Sequence, residues 1–389
     1  MDLNNLLQTM IAAHASDLHI KVGGPPRVRV DGALYALDYE PPTLQDVEGW
    51  LDELLTGRQR RIFELQREVD FSFGVSGVAR YRANVFQQRG TLSVAFRHIP
   101  MEIPTLEDLG LPESIRQQAF LNRGLVLVTG PTGVGKSTTL AAMMDAVNSE
   151  EAKNIITIED PIEYLHRDKV CCVNQREVGV DTESFAEGLR HILRQDPDII
   201  LIGEIRDRDT METALMAADT GHLVLSTLHT TDAVQTVQRA ISFFPPHQHD
   251  EVRRSLAGNL RSVISQRLVP REGGGRVPAV EVMINTPTIS EFLRAPDKLS
   301  HVRGAIEEGV TQYGMQTFDQ SLMNLLKNGI INETEALRFS TNASEFALHL
   351  KGIQATSDRR WQPVEQGHLE HLTKPSADDD IIRGTLFGK

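Results

Sequence analysis

The run GPTGVGKST, Gly130 to Thr138, sets a lysine and two hydroxyls directly behind three glycines. That spacing is the one a phosphate-binding loop requires. Gly130, Gly133 and Gly135 can turn backbone N–H groups inward around phosphate oxygens, with Pro131, Thr132 and Val134 completing the loop. Lys136 offers a cation to the β- and γ-phosphates and Ser137 a hydroxyl to Mg2+, while Thr138 continues into a helix whose N-terminus adds positive potential. LVLVT before the loop reads as a strand and LAAMMDAV after it as a helix, the context the motif needs. The expected ligand is a nucleotide.

Carboxylates stand where such a ligand could use them. In DPDIILIGEIRD the aliphatic run Ile199–Ile202 reads as a strand buried on both faces, and Glu204 follows its end. Ligands of open α/β sheets sit at the carboxyl ends of strands, so Glu204 is expected to accept hydrogen bonds from Mg2+-bound water. ITIEDPIEYLH ends another buried strand and presents Glu159, Asp160 and Glu163, either a solvated turn or the source of a group that orients the attacking water. In HLVLSTLHTTDA, His222 and His229 flank one more aliphatic strand. They are either structural residues or, for His229, a γ-phosphate sensor; a metal site would need a third ligand.

Positioning these groups calls for a parallel sheet. From Gly124 the runs LVLVTG, NIITIED, VCCVNQREV, DIILIGE and HLVLST alternate with helical patterns, which implies an α/β domain. VPAVEVMIN reads as one further strand. Ahead of it lies a small α+β domain: a helix over residues 3–14, a hairpin turning at Asp31-Gly32, one helical stretch over Leu44–Leu65, and the strand pair RYRANVF and TLSVAFRHI. The expected division is residues 1–100, a proline-rich linker 101–122, a nucleotide-binding domain 123–285, a helical region 286–352 and a flexible tail 353–389.

The 389 residues allow two or three domains, and 40% hydrophobic with 24% charged residues is ordinary for a soluble globular chain. A net charge of −13 and the lack of a basic, aromatic-interleaved stretch speak against nucleic acid as a partner. Adjacent Cys171 and Cys172 suit neither a structural disulfide nor zinc, and a reducing, cytoplasmic compartment is expected. No stretch has the roughly 18–20 apolar residues of a membrane span and the N-terminus does not read as a signal peptide, so docking at a membrane rather than insertion is expected.

Together these segments resemble the secretion ATPase superfamily of type II secretion and type IV pilus motors. GPTGVGKST is similar to its Walker A motif, IEDPIEY to its aspartate box, ILIGEIRD to its Walker B motif and TGHLVLSTLHT to its histidine box, in order, across about Ser16 to Gly352. The resemblance implies a RecA-like P-loop ATPase domain behind a smaller PAS-like α+β domain, with a helical C-terminal region, using ATP and Mg2+. It implies Glu163 as general base, Glu204 as the Walker B acid, His229 as γ-phosphate sensor and His222 as a coupling residue. It also implies a ring of six subunits in which arginines, some from a neighbouring lobe, stabilise the transition state. The candidates are Arg80 and Arg82 on one strand face, Arg97 on the next strand, and Arg190 and Arg194 sharing a helix face.

Without extra N-terminal domains or a four-cysteine element, the chain resembles the retraction motors of the PilT and PilU types, as does GMQTFDQSL. It departs from their usual AIRNLIRE at Ser290 and Ala295, where an arginine and an acid are typical, while Ile289 and Arg294 remain. The implied function is a hexameric ATPase that retracts a type IV pilus through an inner-membrane platform protein. An accessory paralogue working with a second motor ring, an extension or type II secretion motor, a RecA-like nucleic-acid motor and a nucleotide-gated regulatory subunit are the alternatives.

Overall fold

The structure is a computed structural model and describes residues 2–30, 32–75, 79–99 and 102–351. The chain divides into two compact units, with the break between Glu102 and Ile103.

The first unit is a six-stranded antiparallel sheet covered by helices. Its strands are β1 (Asp17–Lys21), β2 (Arg27–Val30), β3 (Ala33–Ala36), β4 (Glu68–Val75), β5 (Ala79–Gln88) and β6 (Thr91–Ile99), in the order β3-β2-β1-β6-β5-β4. Alternation along β5 sends Tyr81, Ala83 and Val85 into the core, against Leu6, Leu7 and Met10 of the helix Leu3–Ala12 and Trp50 of the helix Leu44–Leu54. The expected single helix over Leu44–Leu65 is two. Thr56 caps a second helix, Gly57–Gln66, by a reciprocal pairing with Gln59, and this capping box outweighs the continuous polar pattern. Val30 pairs with Ala33, as a two-residue hairpin turn requires, and Gly32 takes φ +84°; Asp31 of that turn lies outside the described residues.

The second unit is built on a seven-stranded sheet: β7 (Gly124–Thr129), β8 (Asn154–Glu159), β9 (Cys172–Glu177), β10 (Ile199–Ile202), β11 (Leu223–Leu228), β12 (Leu260–Pro270) and β13 (Arg276–Ile284), in the order β13-β12-β7-β11-β10-β8-β9. All neighbours are parallel except β12 with β13. The aliphatic run of β10 is buried on both faces, as expected. Ile200 and Ile202 join a core with Leu189, Met211 and Val237, while Ile199 and Leu201 join another with Leu140, Met143 and Val147. Each such side chain is worth about 1.5–3 kcal/mol of burial.

One expected boundary looks different in the structure. Of the segment read as a linker, residues 103–122 belong to the second unit, where Leu106, Leu111, Ile115 and Ala119 are buried against Val126, Val128 and Leu140. Its prolines punctuate a packed segment that includes the helix Glu113–Ala119. The helical region after Ile284 shares that unit's core through Ile289, Leu293 and Val302. The tail expected over 353–389 lies outside the described residues.

Candidate nucleotide site

The phosphate loop leaves the carboxyl end of β7 and enters the helix Lys136–Glu150. Gly130, Gly133 and Gly135 take φ +144°, +82° and +91°, the left-handed region that lets successive N–H groups converge. At Gly130 space is the second constraint: a Cβ would lie 2.6 Å from the Gln266 carbonyl oxygen and 2.7 Å from Val134 Cγ2. Pro131, Thr132 and Ser137 are exposed, whereas Lys136 is buried and donates to the carbonyls of Gly130 at 2.8 Å and Pro131 at 3.0 Å. Burial pulls the Lys136 ammonium below its ordinary value, and Glu204 pulls it back up. Thr138 Oγ1 lies 2.9 Å from the Tyr164 hydroxyl, which ties the loop helix to the segment after β8.

The acidic side of the site is assembled from three parallel strands. Glu204 follows β10, and its Oε1 is 3.1 Å from His229 Nε2 beyond the end of β11. Its Oε2 accepts from Arg206 Nε at 2.9 Å, and Arg206 also reaches Asp160 Oδ2, after β8, at 3.2 Å. Arg206 was not singled out in the sequence, although it sits in the same GEIRD run. These carboxylates hold its guanidinium above the ordinary value, Glu204 by the larger share. Glu159 is buried and accepts from Thr157 Oγ1 at 2.7 Å and Gln175 Nε2 at 3.1 Å. Burial raises its carboxyl above the ordinary range. The Glu163 side chain is exposed, and its backbone N–H donates to Glu159 Oε2 at 3.3 Å across the Asp160–Pro161 turn.

Other predicted residues lie elsewhere. His222 precedes β11, so the six residues of that strand put it about 20 Å from His229. There its Nδ1 is 2.9 Å from the Ala217 carbonyl oxygen. The two histidines cannot share a metal, and His222 does not reach the phosphate loop. The helix Phe185–Ile192 stops before Arg194, so that residue and Arg190 do not share a helical face throughout. Both precede β10, and the two residues after Arg194, Gln195 and Asp196, accept from Asn154 at the amino edge of the sheet. They are not gathered with Lys136 and Glu204 of their own chain.

Within the first unit, Arg82 and Arg97 pair directly across β5 and β6, and Asp17 pairs with Arg97 across β1 and β6. Arg97 Nε donates to Asp17 Oδ1 at 2.8 Å, Arg82 lies 3.8 Å from Asp70, and Arg80 is half-buried on the same face of β5 as Arg82. The alternation that predicted this arginine face holds.

β12 carries no long aliphatic run that would mark it in the sequence. Ser265 and Gln266 are consecutive in it and buried, and point to opposite faces. Ser265 Oγ accepts from Thr129 Oγ1 at 2.9 Å, while Gln266 Nε2 donates to Thr139 Oγ1 at 2.7 Å. This strand therefore grips the phosphate loop just before and just after it. Polar residues hide it from a search for aliphatic runs; their hydrogen bonds make their burial tolerable.

Residues 87–303 match the family described as "Type II/IV secretion system protein". This is more than half of the chain. The chain belongs to that family. Among its relatives within the type II/IV secretion family is the "Type IV pilus retractation ATPase PilT" of Pseudomonas aeruginosa, 48% identical over 336 residues, which are 86% of this chain and 97% of the relative. The "Type IV pilus ATPase PilU" of the same organism is 39% identical over 376 residues, 96% of each. The solved structure described as "Crystal Structure of the Pilus Retraction Motor PilT and Bound ADP" has a TM-score of 0.83 at 45% identity, covering 89% of this chain and 98% of that one. These matches bear out the RecA-like secretion ATPase fold expected from the four motifs.

Proposed function

We propose that this chain is the subunit of an ATP-hydrolysing motor that powers type IV pilus retraction. The supporting observation is the meeting of Lys136, Glu204 and His229 at the carboxyl ends of β7, β10 and β11, in a chain 48% identical to a pilus retraction ATPase over 97% of that relative's length.

The donor set fits ATP with Mg2+. The loop is shaped by three positive-φ glycines, and Ser137 and Glu204 supply hard oxygen donors of the kind Mg2+ prefers, Glu204 through water. Bound there, Mg2+ neutralises charge on the phosphates. Lys136 adds a fixed cation, with Gly130–Thr138 cradling the phosphates. Glu163 orients and deprotonates the attacking water, held near the site by the Glu159–Glu163 backbone bond; Glu159 and Asp160 frame that turn. His229 reads the γ-phosphate, and His222, at the other end of β11, couples that reading to the rest of the unit. Arg80, Arg82, Arg97, Arg190 and Arg194 stabilise transition-state charge between subunits of a homohexamer.

The ring works in the cytoplasm at the inner-membrane base of the pilus machine and acts on a membrane platform protein. Among the described residues no helix is long and apolar enough to cross a membrane. A second reading, an accessory motor beside a paralogous ring, draws on Ser290. Its hydroxyl donates to the Ala257 carbonyl at 2.9 Å, where retraction motors usually carry arginine.

The test is ATPase rate per subunit against protein concentration, with and without Mg2+, alongside Glu204→Ala and Arg82→Ala. Rates that climb with concentration and collapse in both variants support a ring whose sites are completed between subunits. A flat rate with a silent Arg82→Ala removes the trans-arginine role. No hydrolysis at any concentration removes the motor reading. Deletion that abolishes pilus retraction but leaves pili assembled separates retraction from extension.

A further inference from the structure

Four buried hydroxyls connect the turn that carries His229 to the strand that carries the phosphate loop. Thr230 Oγ1, next to His229, lies 2.7 Å from Thr236 Oγ1. Thr236 sits in the helix Ala233–Ser242 and approaches Thr129 Oγ1 at 3.4 Å; Thr129 in turn donates to Ser265 Oγ at 2.9 Å. Thr129 is the last residue before Gly130. Thr129, Thr236 and Ser265 are each 0% exposed and Thr230 is 7% exposed, so the row is shielded from bulk solvent.

Proton counting gives the row a direction. Thr236 owns one hydroxyl proton and faces two acceptors, the Asp232 carbonyl at 2.7 Å and Thr129 Oγ1 at 3.4 Å. While it serves either of these, the proton between Thr230 and Thr236 comes from Thr230. Turning the Thr236 hydroxyl from Asp232 to Thr129 completes a run of donors from Thr230 through to Ser265, and aligned hydrogen bonds of this kind strengthen one another. Thr230 keeps its place as donor only while the turn after β11 stays where it is.

We propose that Thr236 is a positioning residue for ATP hydrolysis, holding the His229 turn in register with the phosphate loop through Thr230 on one side and Thr129 and Ser265 on the other. The inference rests on the ATPase reading above. It adds that the placement of His229 against Glu204 is set from the β7 side as well as from β10.

The full chain is compared with Thr236→Val, which keeps the shape and removes the hydroxyl, and with Thr236→Ser, which keeps the hydroxyl. ATPase kcat and KM, ADP affinity and thermal unfolding are measured for each. The expected result is a kcat about tenfold lower in Thr236→Val with KM and ADP affinity within about twofold, and recovery in Thr236→Ser. Adding Thr230→Val to Thr236→Val then lowers kcat by less than about twofold more, because both remove the same link. A Thr236→Val protein that unfolds at lower temperature yet keeps kcat shows a purely structural hydroxyl and overturns the proposal. Equal damage from the serine variant, or additive effects of the two valines, does the same. If Thr236→Val does not fold, Thr230→Val alone must show the kcat loss, and its absence is decisive against the relay. A wild-type chain without ATPase activity brings down the parent reading instead; an active wild type with an unaffected Thr236→Val brings down only this one.

Discussion

Glu204 and His229 close the carboxyl ends of two neighbouring strands, β10 and β11, and meet at 3.1 Å, Oε1 to Nε2. The same carboxylate also accepts from Arg206 at 2.9 Å. Glu204 is thus pre-oriented by two partners before it is asked to hold anything else. Replacing Glu204 by Gln keeps the shape and removes the charge. The expected result is a fall in ATPase kcat of about 100-fold or more with nucleotide binding largely kept, since the charge is needed mainly in the transition state. Steady-state kinetics beside equilibrium ADP binding check it; equal loss of both would point to a binding role.

Glycine positions in the phosphate loop should differ in cost. Alanine at Gly130 meets both a φ of +144° and a Cβ 2.6 Å from the Gln266 carbonyl oxygen. At Gly133 the φ is +82°, but nothing lies within 4 Å of the added carbon. Gly133→Ala is expected to cost about 1–2 kcal/mol of stability and Gly130→Ala about 3 kcal/mol or more. Urea unfolding of the two variants gives the comparison directly; similar midpoints would contradict it.

Arg82 and Arg97 are neighbours in register with different local partners. Arg97 pairs at 2.8 Å with Asp17, whose side chain is only 11% exposed. Removing Arg97 leaves that carboxylate with Arg29 at 4.0 Å. Arg97→Ala is expected to destabilise the first unit by about 1–2 kcal/mol, the cost of a buried charge losing its close partner. Arg82, 3.8 Å from an exposed Asp70, is expected to cost less than about 0.5 kcal/mol as alanine. Thermal unfolding separates them: a larger drop for Arg82→Ala than for Arg97→Ala reverses the assignment.

Two buried groups give opposite pH dependences. Glu281 accepts from the Ala233 N–H at 2.8 Å, with Asp232, Arg267 and Arg303 near, and burial pushes its carboxyl up to about 7. The fold therefore binds this proton more tightly than the unfolded chain does. That contribution is fully present below about 4.5 and is lost as pH rises through about 7. Burial lowers His166 from 6.5 to about 4, so its neutral form is favoured and stability falls as pH drops across that interval. Glu281→Gln keeps the acceptor and removes the titration. It is expected to be more stable than the wild type at pH 8, by roughly 2–3 kcal/mol at most, and to lose that margin near pH 5. Denaturant unfolding at the two pH values decides it; a margin independent of pH refutes the assignment.

The parts legible in sequence were those fixed by local chemistry. Glycines at Gly130, Gly133 and Gly135 have few reasons to recur with Lys136 outside a phosphate loop, and aliphatic runs such as Ile199–Ile202 have few places to go but a covered sheet. What escaped was set by partners distant in the chain. Ser262, Ser265 and Gln266 read as surface residues until Thr129 and Thr139 are seen beside the last two. His222 and His229 look alike in sequence, yet the direction of β11 sends them to opposite edges of the sheet. Thr56 shows the converse, a short-range cap that a reading by hydrophobic period ran across.

The hairpin of β12 and β13 extends past the nucleotide site. On β13, the Val280 N–H donates to Ser321 Oγ at 3.1 Å and the Val280 carbonyl accepts from Gln316 Nε2 at 3.0 Å; Val282 forms a bridge with Gln316. The middle of this strand pair is thus fastened on one side to the phosphate loop, through Ser265 and Gln266, and on the other to the C-terminal helix Phe318–Lys327, through Val280 directly opposite Gln266. The phosphate loop and that helix are thereby joined across the width of two hydrogen-bonded strands.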